Sequence, residues 1–352
     1  MPSQAQEEIF PAFVADLGED GELNVRVLPD VEANAIIQIP SFTPLVLLGR
    51  SPDQLWLQAE TPEHIVGWVY RRYVETQINT QNLPVIVGFD QLIYGQFLSE
   101  EVQNSIREIA LVGASRGQHA DIFAKVGDSI TVSTHFMVGF GRRQVRLEAY
   151  EDQLHPVIDF FSPSAFTRRS EASGVGWAAF TLLDRFEEAT ESCFVGETPL
   201  ECEYRIMQPA VSLIMLGTND VGYVNVAQYR TNLNRIVEFS MERGIIPILS
   251  TIPNRLDRPE VTDRVPIFNQ IISEIAHTHQ IPLWDYHSAM QLLPEGGLTQ
   301  DGIHPSSPAE NAAFHLSETN LWAGYVIRNL TGLQMLRAVQ PILAEAYLTS
   351  PE

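Results

Sequence analysis

Ser129 stands one residue after Asp128 and two after Gly127, directly beyond an apolar run, Asp121 to Val126, that reads as a buried strand. A hydroxyl at the carboxyl end of such a strand lies where open α/β sheets bind ligands, although Gly-Asp-Ser is also ordinary turn chemistry. Gly174 follows Ser173 at an expected helix start, where an exposed backbone N–H can face a negative charge. Asn219, in Gly217-Thr218-Asn219-Asp220, offers a side-chain amide just after the apolar run that ends at Leu216. Asp301 and His304, in Asp301-Gly302-Ile303-His304-Pro305, set an acid and an imidazole three residues apart in a loop. Taken singly, each of these reads as a turn. Together they supply a hydroxyl nucleophile, a base, an acid to orient it and donors for an oxyanion, which is the full set that acyl transfer needs. His135, His155 and His287 are rival bases, but none has an acid placed as Asp301 is for His304. Asp128 and Asp220 read as residues that hold their turns.

The elements that must position these groups alternate between strand and helix. Helices are expected over Glu100 to Ala114, Gln144 to Leu154 (ended by Pro156), Gly176 to Glu188, Val226 to Arg243, Val265 to His279, Glu310 to Val326 and Leu330 to Ala346, the last kinked at Pro341. Strands are expected over Asp121 to Val126, Ala210 to Leu216, Ile245 to Ile252 and Ile281 to Trp284. Such alternation implies an α/β fold, a parallel sheet with helices on both faces. Phe136, Met137, Phe140, Phe160, Phe161 and Phe166 could line an acyl pocket, but core packing is the commoner use of such residues.

Residues 1–19 are acidic and unpatterned and read as a loose lead-in. From Leu23 the chain changes to short β-rich runs, around Leu23 to Val27, Ala35 to Ile39, Leu45 to Leu48, Leu55 to Leu57 and Gly67 to Val69, separated by Pro and Gly punctuation. Many short strands of this kind imply a small barrel or sandwich. A mixed connector follows over 77–99, and the α/β portion over 100–352.

Composition narrows the function. The chain has 352 residues, long enough for two domains with real cores. Its net charge of -22 speaks against a nucleic-acid partner, which needs basic patches, and against docking on anionic lipid. Lys125 is the sole lysine, so no Gly-Lys-Ser/Thr phosphate loop exists. No run is long and apolar enough to span a membrane, and the first ten residues do not read as a signal peptide. Cys193 and Cys202 either form a disulfide or stay as two thiols; a disulfide would imply an oxidising compartment.

The four blocks around Ser129, Gly174, Asn219 and His304 resemble the SGNH (GDSL-type) serine hydrolases, named for those four residue types, over about residues 100–350. Gly176 competes with Gly174 for the second block, and Ile130 stands where the family has leucine. The resemblance implies a three-layer α/β/α sandwich with a flavodoxin-like parallel sheet. It implies Ser129 as nucleophile, His304 as base and Asp301 as acid. The oxyanion donors would be the N–H groups of Ser129 and Gly174 and the amide of Asn219. No cofactor or metal is implied. The reaction would be hydrolysis of a carboxylic ester, such as a small acyl ester or an acetylated glycan, through an acyl-enzyme. An acyltransferase of the same fold and a non-catalytic wall-binding protein are the alternatives.

Residues 20–76 resemble a bacterial SH3-type domain through LNVR, VLLGR, WLQ and GWVYRRYV, and depart from it at Arg26-Val27-Leu28-Pro29-Asp30. That resemblance implies cell-wall glycan or peptide as a partner, or simple packing on the enzyme. Trp56, Trp68, Tyr70 and Tyr73 would be either a binding face or core residues. A secreted or cell-envelope location follows from the module, with a cytoplasmic one left open.

Overall fold

The computed structural model describes residues 12–18, 21–26, 29, 31, 35–51, 54–62, 65–83, 98–291, 293–308, 312–317 and 319–349. The chain divides into two compact units, Met1–Leu92 and Ile93–Glu352.

The first unit is all-β. Its strands are β1 (Ala12–Val14), β2 (Glu22–Arg26), β3 (Ala35–Pro40), β4 (Pro44–Arg50), β5 (Trp56–Glu60), β6 (Val66–Tyr70) and β7 (Val74–Thr76). They pair antiparallel in the order β3-β2-β6-β5-β4-β1-β7. Val14, Val25, Leu45, Ala59, Val69 and Val74 meet in its core. The loose lead-in expected at the start needs correction at β1. Ala12 and Val14 are buried and Phe13 is 45% exposed, a period-two alternation that seats the strand between β4 and β7. Residues 1–11 and 19 of that lead-in, 84–97 of the connector, and Val27, Leu28 and Asp30 of the departure lie outside the described residues. Trp56 and Trp68 are only 4% exposed, so they pack rather than form an open face; Tyr73 is 39% exposed.

The second unit holds a parallel sheet of β8 (His119–Gly127), β9 (Pro209–Met215), β10 (Ile246–Ser250) and β11 (Leu283–Trp284), in the order β11-β10-β9-β8. Every residue of β9 and β10 is buried, as a sheet covered on both faces requires. Gly127 also bridges in parallel to Ser173 on the far side of β8. With Ser173 taken as the second element, the order is the flavodoxin-like 2-1-3-4-5, whose switch point falls between β8 and β9. Ser129 lies at that point.

Helices cover the sheet: α1 (Glu100–Ser115), α2 (Ser129–Val132), α3 (Val138–Gly141), α4 (Glu151–Phe160), α5 (Pro163–Thr167), α6 (Pro199–Met207), α7 (Asp220–Tyr223), α8 (Val226–Glu242), α9 (Pro259–Thr262), α10 (Val265–Thr278), α11 (Tyr286–Met290) and α12 (Gly324–Thr349). In α1 the side chain of Ser99 caps the first turn, Glu100 and Glu101 complement its dipole, and Ile106, Ile109 and Ala110 face inward. Helix α1 packs on α12 and α12 on α4, while α8 packs on α10.

Four helix expectations are corrected. The helix expected at 144–154 starts later, at Glu151, and runs through Pro156. Helix α12 starts earlier than Leu330, at Gly324, and continues past Pro341. Both prolines lie on exposed faces, and each removes one N–H from its helical ladder. Over 176–188 only a 3-10 turn forms, Ala179–Leu183. Gly176 has φ +77°, and backbone groups of Trp177 and Ala179 bond to Asn219 and Asp220 instead of to a helix. Over 310–326 the described residues form the 3-10 turns Ala312–Phe314 and Asn320–Trp322, and an α-helix begins only at Gly324. The amides of Asn320 and Asn329 take the carbonyls of Ala312, Ala313 and His315 there, so no helical ladder is needed. Phe136, Met137, Phe140, Phe161 and Phe166 are at most 1% exposed and belong to the core.

Candidate active site

The turn after β8 is built by its own residues. The Asp128 side chain accepts the Ile130 N–H at 2.9 Å, and the Asp128 carbonyl accepts those of Thr131 and Val132 at 3.0 Å each. Asp128 is fully buried, and burial pushes its carboxyl above the usual carboxylate range. Gly127 is required by close approach: a Cβ there would come within 2.3 Å of Thr131 Oγ1 and 2.5 Å of the Met215 carbonyl. These constraints lift Ser129 out of the strand with its side chain half-buried and its N–H unbonded among the described residues.

The loop at 299–304 comes to meet it. Ser129 Oγ lies 2.9 Å from His304 Nε2, and His304 Nδ1 lies 2.7 Å from Asp301 Oδ2. The other Asp301 oxygen accepts from Thr299 Oγ1 (2.7 Å), the Ile303 N–H (2.8 Å) and the His304 N–H (2.9 Å). Burial pushes this carboxyl up, but the bonds from His304, Thr299 and Ile303 outweigh it and hold the group well below the usual range. Gly302, at φ +67°, makes the tight turn, and its carbonyl accepts the Leu256 N–H at 2.7 Å.

Asn219 is oriented by Trp177, whose carbonyl accepts from Nδ2 at 2.9 Å. Asp220 is buried behind it, with both oxygens on the Ala179 N–H at 3.0 and 3.1 Å. Burial, with the nearby Asp128 charge adding to it, pushes its carboxyl up to about 6. Arg255, 5% exposed, joins two loops of the site. It donates to the Thr218 carbonyl and pairs with both oxygens of Asp257 at 2.7 and 2.8 Å.

Gly174 has a different place from the one expected. Its N–H donates to the Gly127 carbonyl at 3.2 Å, because Ser173 bridges β8 and draws the next amide into that ladder. Its lack of a side chain makes room for Trp177: a Cβ would come within 2.3 Å of the indole. The N–H groups of Val175 and Gly176 are unbonded among the described residues.

The rival histidines stay apart from Ser129. His287 Nδ1 lies 3.1 Å from the Ile252 carbonyl, His155 pairs with Glu151, and His135 lies against Ser133. Cys193 and Cys202 form a disulfide. At the opposite ends of the strands, Arg116, Gln118, Arg185, Arg205 and Arg243 line a cavity of about 700 Å³. Helices α1 and α8 end there at Arg116 and Arg243, so these cations complement two helix carbonyl ends. Among the described residues no cluster of His, Cys, Asp and Glu is arranged to hold a metal, and no helix is long and apolar enough to cross a membrane.

Sequence reasoning missed Thr299, Arg255, Arg328 and Asn329. For Arg328 a signal existed, an arginine within the otherwise uncharged stretch from Gly324 to Leu336.

The model of the GDSL-like lipase/acylhydrolase family matches residues 126–309. A search of curated proteins finds no match. Among solved structures, a lipase/acylhydrolase from Enterococcus faecalis is 19% identical, covers 61% of this chain and 94% of its own, and has a TM-score of 0.40. A GDSL-like lipase from Bacteroides thetaiotaomicron is 18% identical over 67% and 98%, with a TM-score of 0.40. An acetylxylan esterase from Geobacillus stearothermophilus is 18% identical over 62% and 95%, also at 0.40.

Proposed function

The chain belongs to the GDSL-like lipase/acylhydrolase family, and from that premise we propose that it is a serine esterase using Ser129, His304 and Asp301. The observation that carries this reading is the unbroken hydrogen-bonded path from Ser129 Oγ through the imidazole to the Asp301 carboxylate.

Ser129 Oγ attacks the ester carbonyl carbon and its proton passes to His304 Nε2. Asp301 stays ionised, fixes the ring through Nδ1 and stabilises the imidazolium. The carbonyl oxygen, now anionic, is met by the Ser129 N–H and by the Asn219 amide hydrogen not bonded to Trp177. The intermediate collapses, the C–O bond to the alcohol breaks, and His304 protonates the departing alkoxide. Water then repeats the sequence on the acyl-enzyme, releasing the carboxylic acid and restoring Ser129. The side chains of His304 and Asp301 are 39% and 47% exposed, which favours water over a carried alcohol as the acceptor. Val175, Tyr223 and Leu256 are all at least half exposed; Val175 follows Gly174, Tyr223 ends the helix that Asn219 opens, and the Leu256 N–H bonds the Gly302 carbonyl. The proposed substrate is a small acyl ester, such as an acetylated glycan.

The β unit is read as a bacterial SH3-type module over residues 20–76. The disulfide, with that module, supports a secreted or cell-envelope location.

The test is hydrolysis of p-nitrophenyl acetate together with fluorophosphonate labelling, for the wild type and Ser129→Ala. Turnover and labelling at Ser129 in the wild type alone is the expected result. A wild type that does neither removes the esterase reading.

A further inference from the structure

The first turns of α12 bury polar side chains as deeply as any core residue. Arg328 is 1% exposed and Asn329 0%. Arg328 Nη1 donates to the Ile130 carbonyl at 2.5 Å and Nη2 to Thr131 Oγ1 at 2.9 Å. Both acceptors belong to the turn that opens with Ser129. Asn329 grips the stretch that follows. Its Oδ1 accepts the Met137 N–H at 2.9 Å, and its Nδ2 donates to the His135 carbonyl at 2.9 Å. Met137 sits at φ +65°, a backbone state that a non-glycine residue holds only when its surroundings impose it.

Arg328 forms no ion pair among the described residues. Its guanidinium lies 3.8 Å from the centre of the Phe136 ring, with Trp284 and Tyr286 at 5.8 and 5.9 Å. The rings supply part of the missing solvation. The buried Asp128 carboxyl acts on it only through space, with no direct bond; a buried charge without a direct ion pair is a poor choice for stability alone, because an apolar side chain of similar volume would fill the same space without that penalty. The retained cation therefore has to be explained by where it points, and its two bonds point at the nucleophile turn. Thr131 completes the connection: its hydroxyl is held by Arg328 and lies against Gly127, two residues before Ser129. Helix α12 lies beyond the matched residues 126–309.

We propose that Arg328 is a positioning residue of the hydrolase site, with Asn329 as its second arm. The pair holds the backbone from Ile130 to Met137 so that the hydroxyl and N–H of Ser129 stay aligned with His304 and with the developing oxyanion. This rests on the reading of Ser129 as nucleophile.

The test compares Arg328→Met, Arg328→Lys and Thr131→Val with the wild type on p-nitrophenyl acetate. Rates are expressed per active site titrated to completion with a fluorophosphonate, and Tm is measured alongside. Arg328→Met should lower kcat per titrated site by about 100-fold with KM within about 2-fold, as expected when a reacting group is misplaced while binding is kept. Arg328→Lys should recover part of that loss. Thr131→Val, nearly isosteric, should lower kcat by about 10-fold, since one of the two bonds from Arg328 survives. A kcat per site unchanged in Thr131→Val and Arg328→Met, whatever happens to Tm, would reduce Arg328 to a packing residue. If Arg328→Met does not fold, Thr131→Val decides alone. A wild type that neither turns over nor labels at Ser129 overturns the esterase reading and this proposal with it. A labelled, active wild type with undiminished variants overturns the proposal only.

Discussion

Ser129 Oγ and His304 Nε2 lie 2.9 Å apart although 175 residues separate them in the chain. The serine ends a central strand and the histidine sits in a loop whose shape is set by Asp301. That carboxylate accepts two backbone N–H groups and one hydroxyl besides the imidazole. The bonds fix the ring from behind while its other nitrogen faces the nucleophile.

Asp301→Asn should therefore act through both geometry and charge. The amide cannot stabilise an imidazolium and favours the wrong tautomer, so kcat should fall on the order of 1,000- to 10,000-fold with KM little changed. Steady-state kinetics on p-nitrophenyl acetate will read this. A loss under about 10-fold would remove Asp301 from the triad.

Asn219 and Gly174 should behave as one unit. Asn219→Ala removes an oxyanion donor and should lower kcat between about 100- and 1,000-fold. Gly174→Ala drives the Trp177 indole away, and Trp177 holds the Asn219 amide. The double variant should then lose much less than the product of the two single losses. Multiplicative losses would mean that Gly174 acts independently of Asn219.

Asp220 should make the fold weaker as the pH rises. The folded carboxyl keeps its proton to about pH 6, against an ordinary value of 3.8, mainly because it is buried. Between those values the native chain binds more protons than the unfolded one, so stability falls as pH rises through the window. Asp220→Asn removes this term while its carbonyl oxygen can still accept the Ala179 N–H. Its stability advantage over the wild type should grow from pH 4 to pH 7, reaching on the order of 3 kcal/mol at most. Thermal unfolding at several pH values reads it, and a pH-independent difference would contradict the assignment.

Cys193→Ser with Cys202→Ser should lower stability by about 2–3 kcal/mol, since the bridge closes a short loop in the unfolded chain. Esterase activity at 25 °C should change little, as neither cysteine touches the site residues. Denaturant unfolding with and without reductant measures the first, and the ester assay the second.

Gly127→Ala should be among the most damaging single changes to the nucleophile turn. The new methyl would press on Thr131 Oγ1 and the Met215 carbonyl, and a backbone carbonyl cannot step aside. A cost of about 1–3 kcal/mol is expected from such overpacking, together with a loss of fluorophosphonate labelling. Undiminished labelling would show that the turn tolerates the shift.

Much of this protein was legible in its sequence because the signals are local. Buried parallel strands read as continuous apolar runs, helices read by their period, and Gly-Asp-Ser, the Asn219 turn and the Asp301–His304 spacing are each contained in a few residues. The family follows from those short blocks. What the sequence left undecided depends on partners far along the chain. The expected helix at 176–188, and the one at 310–326 up to Trp322, gave way because side chains of Asn219, Asp220, Asn320 and Asn329 took the carbonyls and N–H groups a helix would have used. Gly174 has the residue type of an oxyanion donor, yet its N–H is bonded to Gly127, a pairing decided only when Ser173 reaches β8. Arg328 looked like one more arginine until α12 folded beneath the nucleophile turn. Hydrogen-bond partners and burial are properties of positions in space, and spacing along a chain determines them only where both partners lie within the same turn.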